Sequence, residues 1–330
     1  MKVITDRQIR GNPLSRRSVA VIGFGSQGEA QALNLRDSGV PVVVGLRPRS
    51  RSAGRSRAAG FETLPVGEAA GRADVVALLV PDEVARGVFD ASIARRLRPA
   101  EAVLFAHGFA VRFSGLSVPE GRDVVMVAPM GPGQRLRERY LEGSGLPASV
   151  AVHRDATGRA RRTALGYAKA IGCARVGVFE TTFAEETEID LFAEQAVLCG
   201  GVTRLVTAAF DTLVEAGYDP ALAYMECIYE LDLTVDLIRR YGIAGMRKRI
   251  SRTALFGDLT RGGLAVGEGM RGGMRKVLRG VRTGAFARDW LADGRSGHRV
   301  LKKRLAEESD RAIERVGRRL RRVAHGEDSP

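Results

Sequence analysis

Cysteine is scarce in this chain, with three among 330 residues. Cys173, Cys199 and Cys227 are far apart and odd in number, and they form neither a CxxC pair nor a zinc spacing. A disulfide framework and a thiolate metal site are therefore excluded, and reduced, mostly buried thiols are expected. Aromatic residues are also few, at 6%. No stacking platform or reader motif accompanies the net charge of +14 and the pI of about 10.4, so nucleic-acid binding is not expected. No apolar run is expected to reach membrane-spanning length. The opening residues, Met1-Lys2-Val3-Ile4-Thr5-Asp6, lack the apolar stretch of a signal peptide. A cytoplasmic protein without membrane contact is the expectation.

What the chain does have is the balance of a folded protein, 45% hydrophobic and 27% charged, with forty glycines for turns and close backbone approaches. Positive charge concentrates at 47–57 and again at 311–322, where the arginines read as one solvated helical face opposite Ile313, Val316 and Leu320. In the first half, short β-branched runs at 18–22, 40–46, 75–80, 103–106, 124–128 and 149–153 alternate with helical stretches such as 27–38, 83–97 and 156–171. That alternation predicts an α/β domain with a parallel, doubly wound sheet over residues 1–181. From 182 to 330 helical spacing takes over. It predicts helices over 185–216, from Asp219-Pro220 to about 240, and over 265–282 and 298–323, with an irregular tail from 325 to 330.

Gly23-Phe24-Gly25-Ser26-Gln27-Gly28 is a GxGxxG motif between a buried strand and a helix. In that context the glycines allow a tight turn and bring a pyrophosphate against the helix N-terminus, the mark of a Rossmann-like domain. An NAD site would place an acid after the second strand for the ribose 2′-hydroxyl. Here the segment reads Gly45-Leu46-Arg47-Pro48-Arg49-Ser50-Arg51-Ser52, with no acid, three guanidiniums and two hydroxyls. Guanidiniums bind a 2′-phosphate by charge-assisted hydrogen bonds that a carboxylate would oppose, so NADPH is expected over NADH.

Asp190 and Glu194 are four apart on one predicted helix, and Glu226 and Glu230 are four apart on the next. That spacing puts each pair on one helical face beside apolar positions. Four clustered carboxylates would need cations, and hard oxygen donors suit Mg2+, with two ions sharing a site. Acids four apart are equally common as surface decoration, and spacing alone leaves both readings open.

The stretches Phe105-Ala-His-Gly-Phe109, Val127-Ala-Pro-Met-Gly-Pro-Gly133, Glu180-Thr-Thr-Phe183, Glu185-Glu-Thr-Glu188, Asp190-Leu-Phe192, Glu194-Gln-Ala-Val-Leu-Cys-Gly-Gly201, Leu213-Val-Glu-Ala-Gly-Tyr218 and Val235-Asp-Leu237 resemble ketol-acid reductoisomerase, in its short (class I) form, collinearly from Lys2 to about Arg321. The resemblance implies that Asp190, Glu194, Glu226 and Glu230 hold two Mg2+ ions, that Ser251 contacts the substrate carboxylate, and that His107 and Glu230 act in the catalytic site. It implies cofactor contacts at Gly23 to Gly28, Arg47, Ser50, Ser52, Asp82, Glu83, Val84, Ala85 and Gly133. It implies a helical, knotted dimerisation domain and an obligate homodimer, or a higher oligomer, in which the Glu226–Glu230 pair comes from the other subunit. The family reaction couples alkyl migration in a 2-hydroxy-2-acyl acid to NADPH-dependent reduction of the resulting keto acid.

The chain departs from the family where the motifs otherwise match. Met130 stands at the family's lysine, Gln134 at a usual histidine, Ala110 at an asparagine, Tyr229 at a histidine and Asp232 at a lysine. Methionine can neither donate nor carry charge, and losing a donor beside developing oxyanion charge costs about 10²–10³ in rate. Three readings follow. One is a specialised NADPH-dependent reductase of an activated C=O or C=N, with migration impaired. The second is an authentic reductoisomerase of branched-chain amino-acid synthesis, and the third is a non-catalytic NADPH-binding relative. The excess of arginine would suit a larger, anionic small-molecule substrate such as a phosphorylated one, though an arginine-rich background composition accounts for it as well.

Overall fold

The computed structural model describes residues 3–11, 13–98 and 101–325, the last three by backbone alone. The chain divides into two compact units, Met1–Ile189 and Asp190–Pro330. In the first unit the order is β1 (Val3–Ile4), β2 (Val19–Ile22), α1 (Ser26–Asp37), β3 (Val42–Leu46), α2 (Ala53–Ala58), β4 (Glu62–Pro65), α3 (Val66–Arg72), β5 (Val75–Leu78) and α4 (Asp82–Val88). It continues with β6 (Ala102–Phe105), α5 (Phe109–Arg112), β7 (Asp123–Pro129), α6 (Gly133–Leu141), β8 (Ala148–Arg154), α7 (Ala160–Ala170), β9 (Val178–Glu180) and α8 (Phe183–Ala193), within which the division falls.

Among the described residues one sheet of nine strands forms, in the order β1-β9-β8-β7-β6-β5-β2-β3-β4. The six strands from β4 to β7 are parallel, with Ile22, Gly45, Leu78 and Phe105 level in register. The expectation of a parallel sheet needs one correction. β8 lies antiparallel to β7, and β1 lies antiparallel to β9. Alternation of strands with helices carries no strand direction, and antiparallel edge strands on a parallel sheet are common.

Side chains alternate across the central strands. Val19, Val21, Val75, Ala77 and Leu104 face one core cluster, and Ala20, Ile22, Val76, Val103 and Phe105 face the other. Burial on both faces is why these runs read as unbroken apolar stretches. Each buried Val or Ile contributes about 1.5–3 kcal/mol relative to exposure, so the sheet centre is the stable part of this unit. The helix expected over 83–97 is shorter: α4 ends at Val88, and a wider π-type turn over Phe89–Ile93 buries both Phe89 and Ile93.

The second unit is helical: α9 (Gly200–Glu215), α10 (Pro220–Tyr224), α11 (Glu230–Arg247), α12 (Arg252–Ala265), α13 (Glu268–Arg282), α14 (Ala285–Arg295), α15 (Arg299–Ser309) and α16 (Ala312–His325). Asp219 caps α10 by accepting from the amides of Ala221 and Leu222, with Pro220 at the first helical position. The break expected near residue 240 comes at Gly242, whose φ of +70° interrupts α11 before it resumes to Arg247. On α16 Ile313 is buried while Arg315, Arg318 and Arg319 are exposed, the amphipathic division expected from the sequence. Of the expected tail, residues 326–330 lie outside the described residues, and His325 ends α16.

Two expectations are corrected here. The stretch Phe183–Glu215 is continuously helical and, by length and composition alone, apolar enough to cross a membrane. Its apolar residues are interleaved with Asp190, Glu194, Arg204 and Asp211, so the eye reads several short runs where the whole window is apolar. The thiols also divide: Cys173 is buried, Cys227 is half-buried and Cys199 is exposed. Burial pushes the Cys173 thiol up to about 12, which keeps it protonated and unreactive.

Candidate functional site

Every candidate residue of the first unit stands where a parallel strand ends. Gly23 follows β2, Arg47 follows β3, Asp82 follows β5, His107 follows β6 and Met130 follows β7. The chain order reverses between β2 and β5, which makes this carboxyl edge a topological switch point, the place where open α/β sheets bind ligands.

Three glycines of the turn have separate reasons. Gly23 adopts a φ of +100°, and a Cβ there would lie 2.5 Å from the Leu79 carbonyl oxygen. A Cβ on Gly28 would lie 2.3 Å from the Gly23 carbonyl oxygen, so the helix can pack onto the strand only without one. Gly25 differs: a Cβ would meet no heavy atom within 4 Å. The fold itself does not require glycine there, and the open space lies at the N-cap of α1, which has no side-chain cap. Exposed helix N–H groups before an open volume fit a pyrophosphate. Phe24 is buried against Phe61, edge to face at 5.8 Å, and pins the turn to the core.

After β3, Arg47, Arg49 and Arg51 are exposed and make no ion pair with the described residues. Ser50 Oγ accepts from the Ser52 amide at 3.3 Å, folding the loop before α2. Arg55 clasps loop to turn: it reaches Glu29 Oε2 at 2.6 Å, the Phe24 carbonyl at 3.2 Å and Ser52 Oγ at 3.3 Å. Asp82 and Glu83 open α4, Val84 is exposed beside them and Ala85 is buried. Gly133 opens α6, its amide donates to Ser26 Oγ at 3.2 Å, and a Cβ on it would lie 2.0 Å from the Ser26 carbonyl oxygen. Gln27 turns its side chain to this loop, donating to the Gly131 carbonyl at 2.8 Å.

His107 sits in the turn between β6 and α5. Its Nδ1 accepts from the Phe109 amide at 3.3 Å, its ring stacks on Phe109, and its Nε2 lies 4.0 Å from Glu186 Oε2. Glu186 is buried, and the same oxygen accepts from the Gly108 amide at 3.2 Å and from Thr187 Oγ1 at 3.3 Å. Glu186 lies within the Glu185-Glu-Thr-Glu188 stretch, where sequence spacing alone assigns it no role. A signal existed in Gly108, where any Cβ would strike Thr187 Oγ1 at 2.1 Å. Met130 is 50% exposed. Of the other departures, Gln134 is exposed and donates to Glu138, and Ala110 is buried in the core.

In the second unit the acids sit on unusual helix. A π-type turn covers Glu194–Leu198, closed by the Cys199 amide on the Glu194 carbonyl at 2.9 Å, and another covers Met225–Tyr229. Each acid pair therefore meets a wide turn, a feature frequent at functional sites. Gly200 and Gly201 belong to the first: a Cβ on either would come within 2.2 Å of a carbonyl five residues back. Glu194, Glu226 and Glu230 are exposed and Asp190 is half-buried. Their oxygens suit a hard cation, but among the described residues of one chain no three such ligands gather. Ser251 caps α12, accepting from the Ala254 amide at 3.1 Å.

Residues 13–177 match the model of the acetohydroxy acid isomeroreductase NADPH-binding domain, and residues 183–325 match that of the ketol-acid reductoisomerase C-terminal domain. This chain belongs to the ketol-acid reductoisomerase family. It is an NAD(P)-dependent oxidoreductase by that membership. An NADH-preferring ketol-acid reductoisomerase from an uncultured archaeon is similar from end to end: 39% identity, a TM-score of 0.95, and coverage of 98% of this chain and 99% of that one. Likeness at the level of fold extends further. A putative oxidoreductase from Jannaschia sp. CCS1 is 18% identical with a TM-score of 0.59, over 81% of this chain and 98% of that one. A pyrroline-5-carboxylate reductase from Coxiella burnetii is 14% identical with a TM-score of 0.53, over 82% and 98%.

The dinucleotide cradle of the family is tested at Gly25. Gly25→Val meets no protein atom and is expected to fold with an unchanged thermal midpoint, while dinucleotide affinity falls on the order of tenfold or more as the side chain fills the space before α1. Fluorescence titration of the bound nicotinamide reads it, and wild-type affinity in the variant would remove the cradle from this turn.

Proposed function

We propose that this chain is an NADPH- and magnesium-dependent reductase on the ketol-acid reductoisomerase plan, cytoplasmic and homodimeric, that reduces an activated C=O or C=N and has its alkyl-migration step impaired. Met130 carries the reading. It is half-exposed on the turn between β7 and α6, at the position where the family resemblance implies lysine. A thioether cannot supply the charge-assisted hydrogen bond that stabilises oxyanion character during migration. Hydride transfer draws on the cofactor, so its loss there is smaller.

NADPH is favoured over NADH by Arg47, Arg49 and Arg51, which have no carboxylate partner among the described residues and no acid among them. The archaeal relative is named as NADH-preferring, so this loop is the place where the two would differ. Magnesium ions, when bound, would act as Lewis acids that polarise the electrophile and orient it. Asp190 and Glu194 would hold them together with Glu226 and Glu230 of a second copy. The second copy is argued from packing. Among the described residues of the second unit a core cluster forms around Phe210, Ala223 and Ile313, while Leu205, Leu233, Phe256, Leu259, Leu264 and Leu305 are exposed. Apolar surface of that extent marks an association face, and it accounts for the apolar length of Phe183–Glu215 without a membrane. His107, with its Nδ1 accepting from a backbone amide, carries its N–H on Nε2 and can donate a hydrogen bond from there to the substrate heteroatom as hydride arrives at carbon, the proton itself coming from water.

A second reading, an authentic reductoisomerase converting 2-acetolactate, is favoured by the end-to-end match at 39% identity. The two separate on paired assays with Mg2+ and NADPH. The reductase reading expects turnover of 3-hydroxy-3-methyl-2-oxobutanoate or a related activated ketone and little of 2-acetolactate. Met130→Lys is expected to raise 2-acetolactate turnover about tenfold or more; fast wild-type turnover of 2-acetolactate would sink the impaired-migration reading.

Two further outcomes test the ligands. Arg47→Asp is expected to weaken NADPH about tenfold while altering NADH much less, by fluorescence titration; the opposite ranking overturns the cofactor choice. Glu194→Gln is expected to weaken Mg2+ binding on the order of tenfold by calorimetry, and unchanged affinity removes this acid from the metal set.

A further inference from the structure

Helix α1 buries a polar stripe. Gln27, Gln31 and Asn34 lie on one face, and Gln31 and Asn34 are both fully or nearly fully enclosed. Burying an amide among apolar side chains costs about 1–3 kcal/mol unless its hydrogen bonds are made, and an apolar seam between α1 and α7 would avoid that cost. The bonds are made, and they run one way. Tyr167 on α7, with no exposed surface, donates its hydroxyl to Gln31 Oε1 at 2.8 Å. Gln31 Nε2 donates to Gln27 Oε1 at 2.9 Å, and Gln27 Nε2 donates to the Gly131 carbonyl at 2.8 Å. Burial pushes the Tyr167 phenol far above its ordinary value, so it remains a donor at every working pH.

The end of this chain of bonds is the turn that carries Met130. That turn has little else to define it. The Met130 amide donates to the Pro147 carbonyl at 2.8 Å, and the Gly131 amide bends back to Pro129 at 2.9 Å. Gly131 holds a φ of +153°, open to glycine. Gly133 then places the start of α6 against Ser26. We infer that Tyr167 and Gln31 are positioning residues: through Gln27 they orient the Gly131 carbonyl, and so set both the Met130 side chain and the Gly133–Ser26 contact at the mouth of the dinucleotide cradle. The inference rests on the cofactor part of the proposed function and not on which substrate is reduced. Among the described residues the hydrogen bonds of Tyr167 and Gln31 reach the cofactor-binding turn through Gln27.

A stability role and a positioning role separate in the double variant Tyr167→Phe/Gln31→Leu. It removes both polar partners together, so the seam becomes apolar and the thermal midpoint stays near that of wild type. With Gln27 left without backing, NADPH affinity by fluorescence titration is expected to fall about threefold to tenfold. A double variant with the wild-type midpoint and NADPH affinity within about twofold of wild type overturns the inference. If the double variant does not fold, or if wild type binds no NADPH, amide hydrogen exchange on Tyr167→Phe decides. Faster exchange at Met130 and Gly133 supports positioning; faster exchange confined to α1 and α7 refutes it. Absence of turnover by wild type on every ketone tried would count against the proposed function and leave both readouts here intact.

Discussion

The site of the first unit depends on one constraint, the approach of two helix N-termini that only glycine allows. Gly28 brings α1 onto β2, and Gly133 brings α6 to within contact of Ser26. Two helices so placed direct the positive ends of their dipoles to the same region. Like ends repel, and here neutral groups mediate between them: the Ser26 hydroxyl accepts the Gly133 amide, and the Gln27 amide donates to the Gly131 carbonyl. An anion before α1 would relieve that repulsion more fully than a hydroxyl can. The open space at Gly25 and the absence of a side-chain cap on α1 lie at that point. The cradle is therefore electrostatically unfinished in the protein alone, which is the condition for tight binding of a pyrophosphate.

Much of this was legible in the sequence, for physical reasons that also explain what was not. Strands buried on both faces are short β-branched runs, and a glycine motif between strand and helix has few other uses, so β2, α1 and the turn between them could be read directly. Strand direction could not, because β8 has the same composition whether it runs with β7 or against it. Helices α12 and α14 were missed because Gly257, Gly262, Gly263 and Gly294 lower helix propensity, and tertiary context overrides that. The acids Asp190, Glu194, Glu226 and Glu230 stood out by spacing, but the wide turns beneath them did not, although Gly200-Gly201 inside a helix was the available sign. Gln31, Asn34 and Tyr167 drew no attention because a polar residue in a helix reads as surface until its neighbours are known.

The second unit inverts the usual relation between fold and function. Its helices form, yet many apolar residues on them are exposed, and among the described residues of one chain no three metal-type ligands gather. Covering that exposed apolar surface would add burial, the contribution that offsets chain entropy. Association would supply both deficits at once, covering leucines and bringing carboxylates together. Stability and metal affinity would then be linked: whatever binds only the assembled form stabilises it by mass action. The π-type turns at Glu194–Leu198 and Met225–Tyr229 are of the kind frequent at functional sites.

The departures from the family are uneven in what they remove. Met130, Gln134 and Ala110 replace, on the resemblance, a lysine, a histidine and an asparagine, so the first unit has exchanged a charge, a titratable ring and an amide for groups that do less. His107 and Glu186 are retained, one stacked on Phe109 and the other buried and hydrogen-bonded. On the proposed reading what survives is the dinucleotide cradle and one hydrogen-bonding ring, and reduction of a C=X bond would need only a hydride from the cofactor and a proton from water. Migration of an alkyl group needs more, because charge must be held on oxygen while a carbon–carbon bond moves, and the groups suited to hold it are the ones that have gone. On the proposed reductase reading, losses gathered inside intact motifs would suit a different electrophile on the same scaffold.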